Sequence, residues 1–259
     1  METEISEHSP LTSWSKNMKV RIAYIEEPPF YWTDENHLVK GADIELVEVV
    51  LRAIGITSIE YQLTPFEELL PGVQAGRWDM NVPIFVTPER ARNVAFSVPV
   101  WSLGDGFLVY HGNPKALANY ESVMMRSDAL LGLIPGQVQF DAAKSAGVSD
   151  SQIVLFNSQP DATAALLAGK IDAFAATAVG NHATANANPE LEAVPFTNSK
   201  GEKAPVGAFS FSKNNLSLLQ AVNAQLHEYL GSADHRKRMA KYGITQTEID
   251  SVVAGKHAK

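Results

Sequence analysis

Two short segments of the 259-residue chain repeat one pattern, and this pattern restricts the fold more than any other feature. Residues 75–79 read AGRWD and residues 168–172 read AGKID, each after a helical segment and before an apolar run. A glycine here can end a helix in the left-handed conformation, and the next strand would begin at the aspartate. Such joints are common enough to recur by chance. The alternative, which the rest of the chain favours, is two lobes built on one plan.

Strands and helices alternate in the first part of the chain. Residues 20–25, VRIAYI, are β-branched and aromatic and predict a strand. Residues 41–56 carry apolar side chains at helical spacing, and Gly55 is placed to end that helix. The segment IEYQL predicts a second strand, and Thr64 with Glu67 predicts a capping box for the next helix. This alternation indicates an α/β fold with a parallel sheet.

The middle of the chain predicts two passages between lobes. Residues 104–114, GDGFLVYHGNP, predict a strand that ends at a Gly/Asn/Pro breaker, which is a candidate crossover. Residues 196–211, FTNSKGEKAPVGAFSF, predict a polar loop and then the strand that returns. Two such crossings make a hinge.

The predicted organisation is therefore one lobe inserted into another. We expect the first lobe at residues 20–110 plus 206–259 and the inserted lobe at residues 111–205. The tail of the first lobe is helical, and its last helix is predicted to begin at a capping box formed by a Thr-x-x-Glu sequence. Residues 1–19 are expected to be a disordered or added N-terminal segment.

Composition excludes several classes of function. The net charge of −8, with no basic run to offset it, argues against a nucleic-acid partner. The absence of cysteine excludes disulfides and thiolate chemistry, and the seven histidines show no metal-ligand spacing. No phosphate-binding or nucleophile motif is present, so no cofactor and no metal are expected. The first twenty residues lack the apolar core of a secretory signal.

The order of the motifs resembles the type II solute-binding proteins of ABC importers, in the polar amino-acid branch known as bacterial solute-binding protein family 3. The resemblance runs from about Val20 to the end of the chain. It rests on the segments PPFYW, GADIEL, LLPGVQAGRWD, TPERARNVAFSVP, LGLIPGQVQ, ALLAGKIDAF and YGI. It implies two lobes, each a mostly parallel sheet flanked by helices, that close on a small solute. It also implies a monomer in the periplasm and an ABC permease of the inner membrane as partner.

The resemblance assigns the ligand carboxylate to two places. The arginine of the TPER motif, Arg90, would hold it through two parallel hydrogen bonds. Spacing alone would also allow Arg90 to be a solvated surface residue. In the inserted lobe the turn at Gly136, Gln137 and Val138 would offer backbone N–H groups at a helix start. The usual hydroxyl residues are absent there, so a plain strand-to-helix turn is an equal alternative.

The chain departs from the family pattern at positions that would contact the positively charged group of the ligand. The position where the family places an aspartate for an α-ammonium is Thr177, and a usual small hydroxyl residue is replaced by Phe85. With Phe30, Phe66 and the acid Glu27, these changes are similar to the ectoine-binding members, in which aromatic faces hold a cyclic zwitterion. Other aromatic residues near these positions are Tyr31, Trp32 and Trp101. Core packing is the alternative for each aromatic side chain, and a solvated loop acid is the alternative for Glu27.

Three functions remain open at this level. The first is a binding protein, not an enzyme, that captures a carboxylate-bearing zwitterion such as an amino acid, an ectoine-like compound or an N-substituted amino acid. The second is an enzyme, since this fold also hosts a cyclohexadienyl dehydratase, with Glu27 as the candidate protonatable acid. The third is a ligand-sensing module.

Overall fold

The computed structural model describes residues 18–197 and 203–253, and the expected segment 1–19 lies almost wholly outside them. The strands are β1 Lys19–Tyr24, β2 Trp32–Thr33, β3 Val39–Lys40, β4 Ser58–Leu63, β5 Met80–Phe85, β6 Ala95–Phe96, β7 Trp101–Ser102, β8 Asp105–Tyr110, β9 Leu131–Leu133, β10 Ile153–Leu155, β11 Ala173–Thr177, β12 Leu191–Pro195 and β13 Val206–Phe211. The helices are α1 Ala42–Ala53, α2 Leu69–Gln74, α3 Pro88–Asn93, α4 Tyr120–Met124, α5 Val138–Ser145, α6 Gln159–Leu167, α7 Ala178–Ala187, α8 Leu216–Tyr229, α9 Ala233–Ala240 and α10 Gln246–Val253.

Two mixed sheets form the centres of two lobes. The first has the order β4-β1-β5-β13-β6, with β7 also paired to β13, and the second has the order β10-β9-β11-β8-β12. In the first sheet β4, β1 and β5 are parallel and β13 runs against β5. In the second, β10, β9 and β11 are parallel and β8 runs against β11. Each lobe thus has a parallel part, as strand–helix alternation predicts, and an antiparallel strand that follows a crossing.

The first crossing lies earlier than the sequence suggests. Strand β7 pairs with β13 in the first sheet, whereas β8 pairs with β11 and β12 in the second. The chain therefore passes between the sheets at Leu103 and Gly104, and the predicted boundary at residue 110 is wrong by the length of β8. The polar breaker at 111–114 misled the prediction, because it marks the end of β8 rather than the passage into it. The return passage lies between β12 and β13, beside the first, since the Leu103 N–H donates to the Pro205 carbonyl at 3.0 Å.

The repeated glycine joints adopt the same backbone conformation. Gly76 has φ +71° and Gly169 has φ +69°, the left-handed region expected of a glycine that ends a helix. The following strands, β5 and β11, begin one residue after the aspartate of each joint. Both strands lie inside their sheets, and every residue of each is buried.

One predicted capping box is absent, and of the other the hydrogen bond to the glutamate side chain is present. The Thr64 N–H donates to the Tyr24 carbonyl and extends the pairing of β4 with β1, so this N–H is not available to Glu67 and the capping box does not form. A 3₁₀ turn, Phe66–Glu68, follows instead, with no side-chain cap, and α2 starts only at Leu69. At α10 the Glu248 carboxylate accepts a hydrogen bond from the Thr245 N–H at 2.7 Å, as the Thr-x-x-Glu sequence predicts.

The apolar cores are divided between the two lobes in the same way as the sheets. One cluster joins β1, β5 and β13 to the buried faces of α1 and α8, while two smaller clusters cover the two faces of the second sheet. Among the described residues, no helix has the length and apolar character needed to cross a bilayer.

Candidate functional site

A cavity lies between the two lobes, beside the crossings. It contains about 350 Å³ of space, counted together with its opening to solvent. Most of its wall belongs to the first lobe, and the second lobe closes it with α5 and the end of β11. The lining residues are Glu27, Phe30, Tyr31, Phe66, Pro83, Ile84, Phe85, Arg90, Trp101, Leu103, Gln137, Val138, Gln139 and Thr177.

Local sequence explains how Arg90 reaches this cavity. Thr87 ends an extended segment and caps α3, and its Oγ1 accepts a hydrogen bond from the Arg90 N–H at 3.1 Å. Pro88 fits the first helical position, where its missing N–H costs nothing. Arg90 is only 8% exposed. Its Nη1 donates to the Phe85 carbonyl at 2.7 Å, and its Nη2 donates across the cleft to the Gly136 carbonyl at 2.8 Å.

The Arg90 guanidinium is a buried cation that makes no salt bridge among the described residues. The carboxylates of Asp141 and Glu89 offset part of the effect of burial on its pKa. Burial lowers its pKa from the usual value of arginine, but a guanidinium remains charged in proteins. Its carbon lies 5.1 Å from the centre of the Phe66 ring. Two of its five N–H donors are engaged by carbonyls, so the others are open to a planar anion.

Glu27 is the acid of the same cavity lining. A tight turn after β1 positions it, because the Glu27 N–H donates to the Tyr31 carbonyl at 2.9 Å. The Tyr31 hydroxyl in turn donates to Glu27 Oε2 at 3.2 Å. Burial raises the pKa of Glu27 to about 7, and the nearby Asp105 carboxylate adds to this rise. A cation that enters the cavity would therefore stabilise the ionised form of Glu27.

Aromatic side chains form much of the cavity lining. The Phe85 and Trp101 ring centres lie 5.3 Å apart in an edge-to-face arrangement, and Phe30 lies 6.1 Å from Trp101. The Trp101 indole N–H donates to the buried Asp43 carboxylate at 3.2 Å, which fixes the ring. Trp32 lies elsewhere, edge-on to the Tyr242 ring at 6.4 Å.

The predicted site residues of the second lobe differ in whether they line the cavity and in which of their groups are already hydrogen-bonded. Gln137 and Val138 line the cavity at the start of α5, whereas Gly136, with φ +82°, lies outside the lining and offers its carbonyl to Arg90. Thr177 lines the cavity, and its Oγ1 caps α7 by accepting a hydrogen bond from the Gly180 N–H at 3.0 Å. Its hydroxyl is thus engaged in holding the helix start.

The sequence includes Gln139 in the turn that opens α5, but it does not predict that Gln139 pairs with Asp105, a residue outside the cavity lining. Gln139 lines the cavity, and its Nε2 donates to Asp105 Oδ1 at 2.9 Å. Burial raises the pKa of Asp105 to about 6. The sequence Gly104-Asp105-Gly106 contains the crossing and the first residues of β8. An acid flanked by glycines at a predicted crossing was the available signal.

Comparison with known proteins fits this architecture. Residues 20–245 match the family described as bacterial extracellular solute-binding proteins, family 3. The chain belongs to this family. Its predicted class is thereby confirmed, and so is the two-lobed fold.

Relatives of this solute-binding protein cover nearly its whole length. A probable amino-acid ABC transporter periplasmic-binding protein of Sinorhizobium fredii is 31% identical over 240 residues, which is 90% of this chain and 79% of that one. The crystal structure of EhuB in complex with hydroxyectoine has a TM-score of 0.79 at 25% identity and covers 93% of this chain and 95% of its own. An ancestral arginine-binding protein bound to arginine has a TM-score of 0.75 at 27% identity, over 86% and 97%.

Proposed function

We propose that this solute-binding protein is the substrate-binding component of an ABC importer and that it captures a small zwitterion in the cavity between its lobes. The observation that carries the proposal is Arg90, a guanidinium buried in the cavity wall that makes no salt bridge with a described residue. A buried cation of this kind requires an anion, and a ligand carboxylate fits its open donors.

The rest of the cavity supports a ligand that also carries a positive charge. Glu27 lies in the same wall, and its raised pKa shows the cost of an unpaired charge there. Phe30 and Phe85 offer ring faces, on which a weakly hydrated cation can rest. A compact zwitterion would thus place its carboxylate on Arg90 and its cation between Glu27 and the rings.

Among zwitterions, we propose that cyclic amidines such as ectoine, and N-substituted amino acids, bind better than ordinary L-amino acids. No acid stands at position 177, where an α-ammonium would need one, and Thr177 already uses its oxygen as a helix cap. The structural similarity to EhuB with hydroxyectoine supports this class, whereas the ancestral arginine-binding protein represents the competing one.

Capture would work by closure of the hinge at the two crossings. A ligand held between Arg90 of the first lobe and α5 of the second would stabilise the closed form, which a permease then recognises. The protein would act in the periplasm, as the name of its relative in Sinorhizobium fredii suggests. We propose that it does so as a monomer.

A thermal-shift panel followed by calorimetry tests the ligand class. The panel contains ectoine, N-methylproline, glutamine, histidine and arginine, and mass spectrometry identifies any small molecule that co-purifies. We expect stabilisation by ectoine or N-methylproline above that by the three ordinary amino acids. Strong stabilisation by glutamine, histidine or arginine alone would contradict the proposed class but leave zwitterion binding intact.

Glu27 is the residue that favours the alternative function, a dehydratase. An acid with a pKa of about 7 is partly protonated at neutral pH and could donate a proton to a leaving group. Recovery of each bound ligand unchanged after long incubation, by mass spectrometry, would support a binding protein. Loss of water or of carbon dioxide from a cyclohexadienyl carboxylate would support the enzyme.

A further inference from the structure

The second lobe contributes to the cavity an amide whose orientation is fixed from behind. Gln139 lies in the first turn of α5, is only 3% exposed and lines the cavity. Its one hydrogen bond runs to Asp105 Oδ1 at 2.9 Å. An ionised carboxylate only accepts hydrogen bonds, so the end of the amide that faces Asp105 must be the NH₂ group.

The carbonyl oxygen of the same amide is therefore directed away from Asp105. No described residue donates a hydrogen bond to Gln139 Oε1. This oxygen is not one of the fully buried, unpartnered side-chain atoms of the described residues, so it keeps contact with the open space of the cavity. A ligand that supplies an N–H could therefore take the place of water at this acceptor.

Asp105 is held in place independently of any ligand. It is the first residue of β8, and in the second sheet it pairs with Thr177. Its backbone carbonyl accepts a hydrogen bond from the Phe196 N–H at 2.9 Å, just after the last strand of that sheet. Both segments next to the hinge therefore fix Asp105, and through it the Gln139 amide.

We propose that Gln139 is the second lobe's acceptor for the ligand's cation and that Asp105 is its positioning residue. Glu27 from the first lobe and Gln139 from the second would each accept one N–H of the same cation. A neutral amide is suited to this place, because it adds an acceptor without setting a further negative charge against Glu27. The inference rests on the proposed function and narrows its ligand class.

The preferred ligands are then carboxylates whose cation carries two N–H groups pointing in different directions. The amidinium ring of ectoine meets this requirement. A quaternary ammonium, as in proline betaine, has a positive charge and a carboxylate but no N–H donor. The two compounds therefore separate hydrogen-bond recognition from general attraction of a zwitterion by Arg90 and the aromatic wall.

The test measures calorimetric affinities of ectoine and proline betaine for the wild type and four variants. Gln139→Leu removes the acceptor and is expected to weaken ectoine binding by about tenfold, the usual effect of losing a hydrogen bond to a charged group. Proline betaine binding is expected to change by less than about threefold. Gln139→Met serves if the leucine variant does not fold. The matched control is Gln159→Leu, since Gln159 is 2% exposed in the same lobe, donates to Thr184 Oγ1 and does not line this cavity.

The role of Asp105 is tested with Asp105→Asn and the double variant Asp105→Asn/Gln139→Leu. An asparagine can donate or accept, so it no longer fixes the amide, and we expect about a threefold loss of ectoine affinity. The double variant should bind ectoine no more weakly than Gln139→Leu alone, because Asp105 acts through the amide. Additive losses would overturn the positioning role.

Three other results have distinct meanings. Equal losses for both ligands, or an unchanged ectoine affinity in Gln139→Leu, would overturn this inference while the proposed function stands. Tighter binding of proline betaine than of ectoine by the wild type would do the same. If the wild type binds neither compound nor any other zwitterion of the panel, the proposed function fails and this inference fails with it.

Discussion

The two lobes use one joint to enter their central strands. In the first lobe the Asp79 carboxylate accepts a hydrogen bond from the Arg21 N–H at 2.8 Å, and the Asp79 N–H returns one to the Arg21 carbonyl at 2.9 Å. In the second, Asp172 makes the same pair of bonds with the backbone of Leu130, both at 2.8 Å. Each aspartate thus locks the start of a central strand to its parallel neighbour. The sequence similarity of the two joints therefore reflects an equivalent structural role.

The lobes diverge at the other end of these strands, where the cavity lies. Both strands run into a helix capped by threonine, Thr87 in the first lobe and Thr177 in the second. Each threonine accepts a hydrogen bond from the residue three positions on, which is Arg90 in one lobe and Gly180 in the other. The same backbone arrangement thus presents a guanidinium on one side of the cleft and no side chain on the other.

This difference shows that two lobes with the same backbone plan can contribute different properties to ligand binding. The first lobe carries the charge and most of the cavity wall. In the second lobe a β-carbon at Gly180 would lie 2.9 Å from Thr177 Oγ1 and 3.7 Å from the Phe30 ring. The missing side chain lets the helix start close over Phe30, so the second lobe supplies shape where the first supplies charge.

The largest expected effect comes from removing the charge that distinguishes the first lobe. Arg90→Ala should weaken zwitterion binding by about 2–5 kcal/mol, because the ligand carboxylate loses a desolvated, charge-assisted partner. Calorimetry on the folded variant measures this. Arg92→Ala is the matched control, since Arg92 lies on the same helix and is exposed. A loss below tenfold for Arg90→Ala, or equal losses for the two variants, would show that Arg90 is not the anchor.

Removing the shared joint should affect both lobes alike. Asp79→Ala and Asp172→Ala should each lower the free energy of unfolding by about 2 kcal/mol, because a backbone N–H at the strand start loses its acceptor. Asp79→Asn and Asp172→Asn keep an oxygen there and should lose less. Denaturant unfolding of the four variants provides the measurement. A loss at only one site would mean that the two joints are not equivalent.

Much of the fold could be predicted because its signals are local. The glycine joints, the apolar run of β5 and the Thr-x-x-Glu cap of α10 each depend on a few neighbouring residues. The capping box at Thr64 failed because pairing of β4 with β1 extends past the strand and takes the Thr64 backbone. The position of the first crossing failed for a similar reason, since only sheet pairing assigns β8 to the second lobe.

The site was harder to predict where it depends on contacts distant in sequence. Arg90 and Phe30 could be placed in the cavity from motifs. The buried Asp43, by contrast, sits in an ordinary amphipathic helix, and nothing local shows that it holds the Trp101 indole. Asp105 and Gln139 meet only because α5 packs beside β8, so their pairing has no signature in the sequence.

Glu27, the acid in the cavity lining of the first lobe, should make ligand affinity depend on pH. In the free protein, burial raises the pKa of Glu27 to about 7, and the Asp105 carboxylate, with a pKa of about 6, acts in the same direction. A cation binds the ionised form of Glu27, so affinity should rise with pH, by about tenfold between pH 6 and pH 8. Calorimetry with ectoine across this range measures it, and Glu27→Gln should flatten the profile. A flat wild-type profile would mean that Glu27 does not face the cation. Equal slopes in both proteins would assign the titration to another group, with Asp105 next to be tested.

The smallest expected effect tests the shape supplied by the second lobe. Gly180→Ala places a methyl group 2.9 Å from Thr177 Oγ1, so either the threonine cap or the helix start must shift. Because the new atom also approaches Phe30, the shift should open the cleft slightly and weaken ligand binding by about 1 kcal/mol, the lower end of overpacking costs. Gly180 lies in the first turn of α7, where the helix-forming gain from alanine is offset by the strain on the Thr177 cap, so the stability of the free protein should change little. Calorimetry and thermal unfolding together separate the two effects. An unchanged affinity would show that ligand binding does not require the start of α7 to approach Phe30 this closely. The functional difference between the positions of Arg90 and Gly180 would then consist of the Arg90 charge alone.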